Sequence, residues 1–182
     1  MATSKSGSFR LTETVNLPNA SGAGSFFQGE IDLGAYVNVG TGQAIAVESV
    51  DFIWQVGADF AGNVSGATAN DCAWTAQLTA LNPGTALVRA DDQSLIASGS
   101  IMIDDSNNVA TETTDFYPDN FGPANLSESY MVVNDSLYLV AANGASALAD
   151  VVNCTVVIKC RIVKLGQKDW VAIAIQSTAS DN

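Results

Sequence analysis

Residues able to do chemistry are scarce, because the 182-residue chain contains no histidine. This excludes His-based catalytic triads, most zinc sites and the commonest general base at neutral pH. Paired aspartates do occur in predicted loops, and their oxygens are the ligands that Ca²⁺ prefers. The pairs are Asp91 with Asp92, Asp104 with Asp105, and Asp115 with Asp119. None has EF-hand spacing, so we interpret them as solvated loop acids. We predict a protein that is not an enzyme, with no catalytic residue, no metal site and no cofactor.

The three cysteines, Cys72, Cys154 and Cys160, lack the C-x-x-C spacing of metal and redox sites. Cys154 and Cys160 share one face of a predicted strand, but six residues place them roughly 20 Å apart. A disulfide needs Cα atoms within about 7 Å, so these two cannot bridge each other. We predict buried free thiols that pack as small hydrophobic side chains.

Basic residues cluster near the C-terminus, where four of the seven lie within ten positions. Two interpretations are open. The charges could protect an exposed strand against edge pairing. Alternatively, they could form a contact surface for an acidic partner, either a neighbouring subunit or anionic lipid headgroups. Lys159 and Arg161 share the polar face of one strand, and Lys164 and Lys168 are placed at a hairpin turn. The candidate subunit-contact residues are Lys159, Arg161, Lys164 and Lys168.

Apolar and polar residues alternate with a period of two along most of the chain, which indicates β-strands. The longest alternation is "VVNCTVVIKCRIVKL" over 151–165. Ile45 and Val47 are out of phase with the apolar residues that follow, which predicts a β-bulge near Glu48. "TALVRA" over 85–90 is a weaker strand candidate. No segment sustains an apolar 3.6-residue spacing, so no helix is predicted, and "WVAIAIQS" over 170–177 is expected to be the last strand.

These strands predict an all-β fold: a single jelly-roll barrel or sandwich of about eight to ten antiparallel strands. The whole chain, 1–182, is expected to form one domain, with 1–7 as a flexible N-terminal segment. The predicted core residues are Val50, Phe52, Trp54, Trp74, Leu78, Val156, Ile158 and Ile162.

The charge balance limits the partners that the protein can bind. A net charge of −12 leaves no basic footprint for direct nucleic-acid binding. Asp outnumbers Glu by 14 to 5 and Lys occurs four times, as is typical of proteins from a high-salt cytoplasm. The alternative is an ordinary acidic protein whose charge aids solubility. No apolar run approaches the ~20 residues that span a bilayer, and "MATSKSGSFRL" lacks the apolar region of a signal peptide.

Glycosylation is a weaker possibility that the sequence leaves open. Five Asn-x-Ser/Thr sequons occur, at Asn19, Asn63, Asn125, Asn134 and Asn153. Asn153 lies within a predicted strand, so only the loop sites are candidates for modification.

An acidic all-β chain of this length without catalytic residues resembles a viral coat protein. Its strand pattern, including "GEIDLGAYVNVGTGQAIAVESVDFIWQV" over 29–56, resembles that of the smaller major capsid protein of haloarchaeal icosahedral viruses with an internal membrane, the sphaerolipoviruses. The resemblance covers the whole chain and rests on length, strand pattern and charge balance.

Several properties are implied by this resemblance. It implies an upright single jelly roll in the shell of a virion, assembled in the host cytoplasm. It also implies homodimers, and heterodimers with a second, larger capsid protein, above a membrane surface that the subunit could touch. No nucleic acid and no small-molecule substrate would bind directly. The competing class is a cell-surface or carbohydrate-binding β-sandwich module.

Overall fold

A computed structural model describes residues 2–64, 66–68, 70–113, 130–144 and 147–178. Over these residues the chain forms ten β-strands, a single 3-10 turn at Val39–Thr41 and one α-helix. The strands are β1 Thr3–Ser4, β2 Phe9–Leu17, β3 Ser25–Asp32, β4 Gln43–Val56, β5 Cys72–Thr79, β6 Leu95–Asp104, β7 Val109–Thr113, β8 Tyr130–Val132, β9 Ser136–Asn143 and β10 Val152–Lys164. The helix, α1, is Gln167–Thr178.

The strands form two antiparallel sheets. In the first sheet, β10 lies between β4 and β2, and β8 pairs with the far side of β4. In the second sheet the order is β3-β9-β5-β6-β7. Successive strands therefore alternate between the sheets over β2 to β5, and the last three, β8 to β10, alternate again. This is the jelly-roll arrangement, as predicted.

The core lies between the two sheets and contains most of the residues that alternation placed there. Six of the eight predicted core residues are buried: Phe52, Trp54, Trp74, Leu78, Val156 and Ile158. Val50 and Ile162 are only partly buried. Ile162 lies where residues 5–8 leave the edge of β10, since its amide donates to the Ser6 hydroxyl and its carbonyl accepts from the Lys5 amide.

The predicted bulge in β4 is confirmed. Lys159 of β10 pairs with Ser49, but the next residue, Cys160, pairs with Val47. Glu48 is therefore the extra residue, and it sets Val47 and Phe52 on the same interior face although they are five residues apart.

The prediction that no helix is present and that 170–177 is a strand was wrong. Residues Gln167–Thr178 form α1, which packs on the outer face of the first sheet. Trp170, Ile173 and Ala174 have the i, i+3, i+4 spacing of a helix face and contact a small cluster that includes Ala44 and Val163. Val171 and Ile175 are apolar as well, although they are exposed on other faces of the helix. Their presence concealed the helical spacing of the buried residues in the sequence.

Two further expectations also need correction. Residues 85–90 form no strand; instead the Gln77 side chain of β5 binds both the amide and the carbonyl of Val88. In the segment expected to be flexible, Thr3 and Ser4 pair with Lys164 and Val163 at the edge of β10. The sequence also predicts a strand over 109–117; it is confirmed as far as Thr113, where β7 ends, and residues 114–117 lie outside the described residues.

No helix in the described part of the chain is long and apolar enough to cross a membrane.

Candidate functional site

Six of the seven basic residues lie on β10 or on the segments next to it. Lys159, Arg161 and Lys164 belong to β10 itself. The others are Lys5 in the N-terminal segment, Arg10 in β2 and Lys168 in α1. The seventh, Arg89, lies in the connection between β5 and β6 and forms an exposed ion pair with Asp91 at 3.0 Å. We call the six residues Lys5, Arg10, Lys159, Arg161, Lys164 and Lys168 the basic surface.

Strand pairing brings two of these cations face to face. Arg10 of β2 is the direct partner of Lys159 of β10, and directly opposed residues in antiparallel strands have Cα atoms about 4.5 to 5.5 Å apart. Arg161 is two residues further along β10, on the same outer face. Like charges this close repel each other, so the arrangement requires a compensating anion.

Glu48 supplies that anion, and the bulge positions it. Its carboxylate is almost completely buried, with 2% of the side chain exposed. One oxygen accepts from the Arg161 guanidinium, and the other lies 3.5 Å from the Lys159 ammonium. The Ser8 hydroxyl donates to the carboxylate at 2.9 Å and 3.1 Å. Glu48 of β4 therefore links two strands of the first sheet, β4 and β10, and the segment before β2.

Burial distinguishes the two cations that Glu48 holds. The Arg161 side chain is 18% exposed, whereas that of Lys159 is 44% exposed. A single carboxylate cannot neutralise both cations together with Arg10. The centre of the basic surface therefore remains positively charged in a protein with a net charge of −12.

The other two candidate contact residues are more exposed, and they do not lie at a hairpin turn. Lys164 is the last residue of β10, and Lys168 is in the first turn of α1. Both are exposed, as are Lys5 and Arg10. Two further carboxylates border this region: Asp51, on the outer face of β4, and Asp169, next to Lys168 in α1.

The three cysteines are buried and form no disulfide, as predicted. Burial raises the pKa of the Cys154 thiol well above its usual range. Burial, together with the negative charge of Glu48, raises the pKa of Cys160 to about 12. Cys72 lies 3.1 Å from the Asn143 side-chain oxygen. Thiols that stay protonated are poor nucleophiles and poor metal ligands, so the side chains of Cys154 and Cys160 serve packing.

Glu13 is the acidic residue of β2 on the interior side of its alternation. Partial burial raises its pKa. It packs against Gly29 of β3, where an added Cβ would lie 2.9 Å from a Glu13 carboxylate oxygen. The absence of a side chain at Gly29 therefore leaves room for this carboxyl group between β2 and β3.

The loop aspartates do not form a metal-binding constellation in the described ranges, where no three Asp, Glu, Cys or His side chains are grouped suitably. Asp104 accepts hydrogen bonds from Asn107, which lower the pKa of its carboxyl group. Asp115, Asp119 and the Asn125 sequon lie outside the described residues. Among the other sequons, Asn153 is buried within β10.

Sequence reasoning missed four residues of this site: Lys5, Ser8, Arg10 and Glu48. Arg10 could have been found only from the β2–β10 register. For Glu48 the sequence did contain a signal, because this charged residue lies at the predicted bulge. A residue at a bulge is freed from strand alternation.

Solved structures similar to this chain come from viruses. The human polyomavirus 6 VP1 pentamer is 8% identical with a TM-score of 0.40, over 87% of this chain and 95% of that one. The unassembled KI polyomavirus VP1 pentamer is 8% identical with a TM-score of 0.39, over 91% and 98%. The maize chlorotic mottle virus structure is 13% identical with a TM-score of 0.33, over 87% and 96%. No family model and no curated protein matches the sequence. The jelly-roll assignment therefore rests on the chain's own strand order.

Proposed function

We propose that this chain is a structural capsid protein, a subunit of the shell of an icosahedral virion. The observation that carries the proposal is the strand order of the two sheets, β2-β10-β4-β8 facing β3-β9-β5-β6. Jelly rolls with this double-sheet architecture recur in viral capsids, lectin domains and cupins. The chain's other properties distinguish among these three classes.

The cupin class fits poorly, because metal-binding enzymes of this kind depend on histidine and the chain has none. The lectin class requires a platform of exposed aromatic rings on which a sugar can stack. Among the large hydrophobic side chains that are exposed in the described ranges, one is aromatic: Phe60, with 58% of its surface exposed. A coat subunit needs neither feature.

At a finer level, we propose a coat protein of a haloarchaeal virus with an internal membrane. The excess of Asp over Glu, the low Lys content and the pI near 4.1 support a high-salt origin. On this proposal the subunit forms homodimers, and heterodimers with a larger second coat protein, assembles in the host cytoplasm and stands above a lipid surface. Lys159, Arg161, Lys164 and Lys168 remain the proposed subunit contacts.

Electron microscopy of the purified chain tests this function. We expect rings, capsomers or closed shells of uniform diameter, formed by the chain alone or after addition of the second coat protein. If the chain gives only particles of no regular shape, or only dispersed monomers, under all conditions, the coat function is contradicted.

A carbohydrate-binding module is the second candidate, and the exposed ring of Phe60 beside Asp59 is the observation that favours it. A glycan array decides between the two functions. Specific glycan binding that is lost on Phe60→Ala, together with a monomeric protein, would support the module over the coat protein.

A further inference from the structure

One end of the sandwich is acidic and carries no basic residue. The strand ends that flank four connections lie there: 18–24 between β2 and β3, 57–71 between β4 and β5, 105–108 between β6 and β7, and 144–151 between β9 and β10. These connections contain no Lys or Arg. We call these four connections, together with Asp104 at the end of β6, the acidic end. Its acidic residues are Asp59, Asp71, Asp104, Asp105 and Asp150.

The acidic end and the basic surface are too far apart to neutralise each other within one molecule. The acidic end is at the start of β10, near Val152, whereas the cations of β10 run from Lys159 to Lys164. At about 3.3 Å per residue, these cations lie roughly 20 to 40 Å along the strand from Val152. The Debye length is about 8 Å at physiological ionic strength, so the two surfaces hardly interact within one subunit.

We propose that the acidic end of one copy docks on the basic surface of a neighbouring copy. This inference rests on the proposed coat function and identifies the surfaces that meet in the shell. Each copy then presents one acidic and one basic surface, so the contact can occur twice in a two-fold dimer, or once between successive copies of a ring when the rotation between copies permits closure. A net charge of −12 opposes association in general, and this contact places opposite charges where the copies touch.

Charge complementarity within the chain favours a second copy as the occupant of the basic surface. The surface combines six cations with three carboxylates, Glu48, Asp51 and Asp169, so it keeps positive charge although the molecule as a whole is strongly negative. The acidic end supplies five carboxylates without a cation. Every copy that presents a basic surface therefore also presents its complement.

Charge reversal with rescue tests the contact. The first variant, Lys164→Glu with Lys168→Glu, reverses exposed cations that are outside the Glu48 cluster. The second, Asp59→Lys with Asp105→Lys, reverses the acidic end. Asp71 and Asp104 stay unchanged, because their carboxylates hold the amides of Asp105 and Asn107. Sedimentation velocity at about 0.15 M NaCl measures association, and circular dichroism confirms folding.

Each variant alone should require at least a tenfold higher concentration than the wild type for half-maximal association. An equimolar mixture should recover association. In the second variant the acidic end carries positive charge, and it can bind the basic surface of the first variant, which carries added negative charge. The matched control is Arg89→Glu compared with Lys168→Glu. Both change the net charge equally, but Arg89 lies outside the basic surface, so its variant should associate like the wild type.

The outcomes separate this inference from the coat function. If the wild type associates and both charge-reversed variants associate equally well, the inference is wrong and the coat function stands. If the wild type alone stays monomeric at all concentrations, the inference fails, and the coat function fails with it only if a second coat protein also leaves the chain monomeric. The same proteins are mixed with vesicles of phosphatidylcholine and phosphatidylglycerol. Vesicle binding lost in the Lys164→Glu, Lys168→Glu variant, with self-association unchanged, would assign the basic surface to a membrane instead.

Discussion

Glu48 and Arg161 form an ion pair across β4 and β10, and the carboxylate is held at the one position where β4 leaves its regular register. In an unbroken strand, a residue between Val47 and Ser49 would continue the alternation between interior and exterior. The bulge frees Glu48 from that constraint, so its carboxylate reaches Arg161, Lys159 and the Ser8 hydroxyl together. The first sheet therefore holds a buried anion beneath the cations proposed for assembly.

Replacing Glu48 with Gln should destabilise the subunit. The amide leaves Arg161 without its charged partner in a site where the side chain is only 18% exposed. Removing one partner of a buried ion pair costs about 3 to 5 kcal/mol, and the partial exposure of both cations puts the expected loss near the lower value, about 3 kcal/mol. Urea denaturation followed by fluorescence measures the free energy of unfolding.

Asp51→Asn is the matched control, because Asp51 is an exposed carboxylate on the same strand. It should change the free energy of unfolding by no more than about 0.5 kcal/mol. Equal effects of the two variants would show that the Glu48 cluster contributes little to stability.

Gly99 should be intolerant of a side chain. It lies in β6 opposite Phe52 of the other sheet, and an added Cβ would lie 2.8 Å from a Phe52 ring carbon. Gly99→Ala should cost about 1 to 3 kcal/mol by overpacking. Gly62→Ala is the control, since nothing lies within 4 Å of the position of its Cβ. Combining Gly99→Ala with Phe52→Leu should cost less than the two single losses together, and strict additivity would argue against this contact.

Alkaline pH should destabilise the fold through the buried thiols. The pKa of Cys160 is about 12, compared with about 9 for an exposed cysteine. Between these values the unfolded chain loses the proton while the folded chain retains it, so the free energy of unfolding falls as pH rises above 9. Cys160→Ala should reduce this pH dependence, as measured by urea denaturation at pH 8 and pH 10. An unchanged slope would mean that the thiol titrates normally.

Added salt should raise the melting temperature of the subunit. With 19 acidic and 7 basic residues, repulsion between like charges weakens the compact state, and screening reduces that repulsion. We expect a higher Tm in molar NaCl than at tens of millimolar, measured by differential scanning calorimetry. A Tm that is constant or falls with added NaCl would contradict the proposed high-salt origin.

The jelly-roll fold could be predicted from the sequence because alternation is a local property. Cys154, Val156 and Ile158 were correctly placed in the interior from their spacing alone, and Ile45 and Val47 revealed the bulge. The order of strands in the sheets was not predictable in this way, since it depends on pairings such as that of Lys159 with Arg10, 149 positions apart in sequence.

The helix α1 and the full basic surface were missed for physical reasons. Trp170 and Ile173 pack on the sheet, but exposed Val171 and Ile175 are equally apolar, so composition alone did not separate a helix from a strand. The partner of Arg161 was missed because a register between two strands, rather than sequence spacing, brings Glu48 to it.

Mass measurement in solution most directly tests the claim that this jelly roll is a shell subunit. Analytical ultracentrifugation over a range of protein and salt concentrations gives the mass of every species formed by the 18.9 kDa chain. We predict concentration-dependent formation of discrete species whose masses are multiples of 18.9 kDa, up to complete capsomers. A single 18.9 kDa species at every concentration and salt condition, also in the presence of a second coat protein, would contradict it.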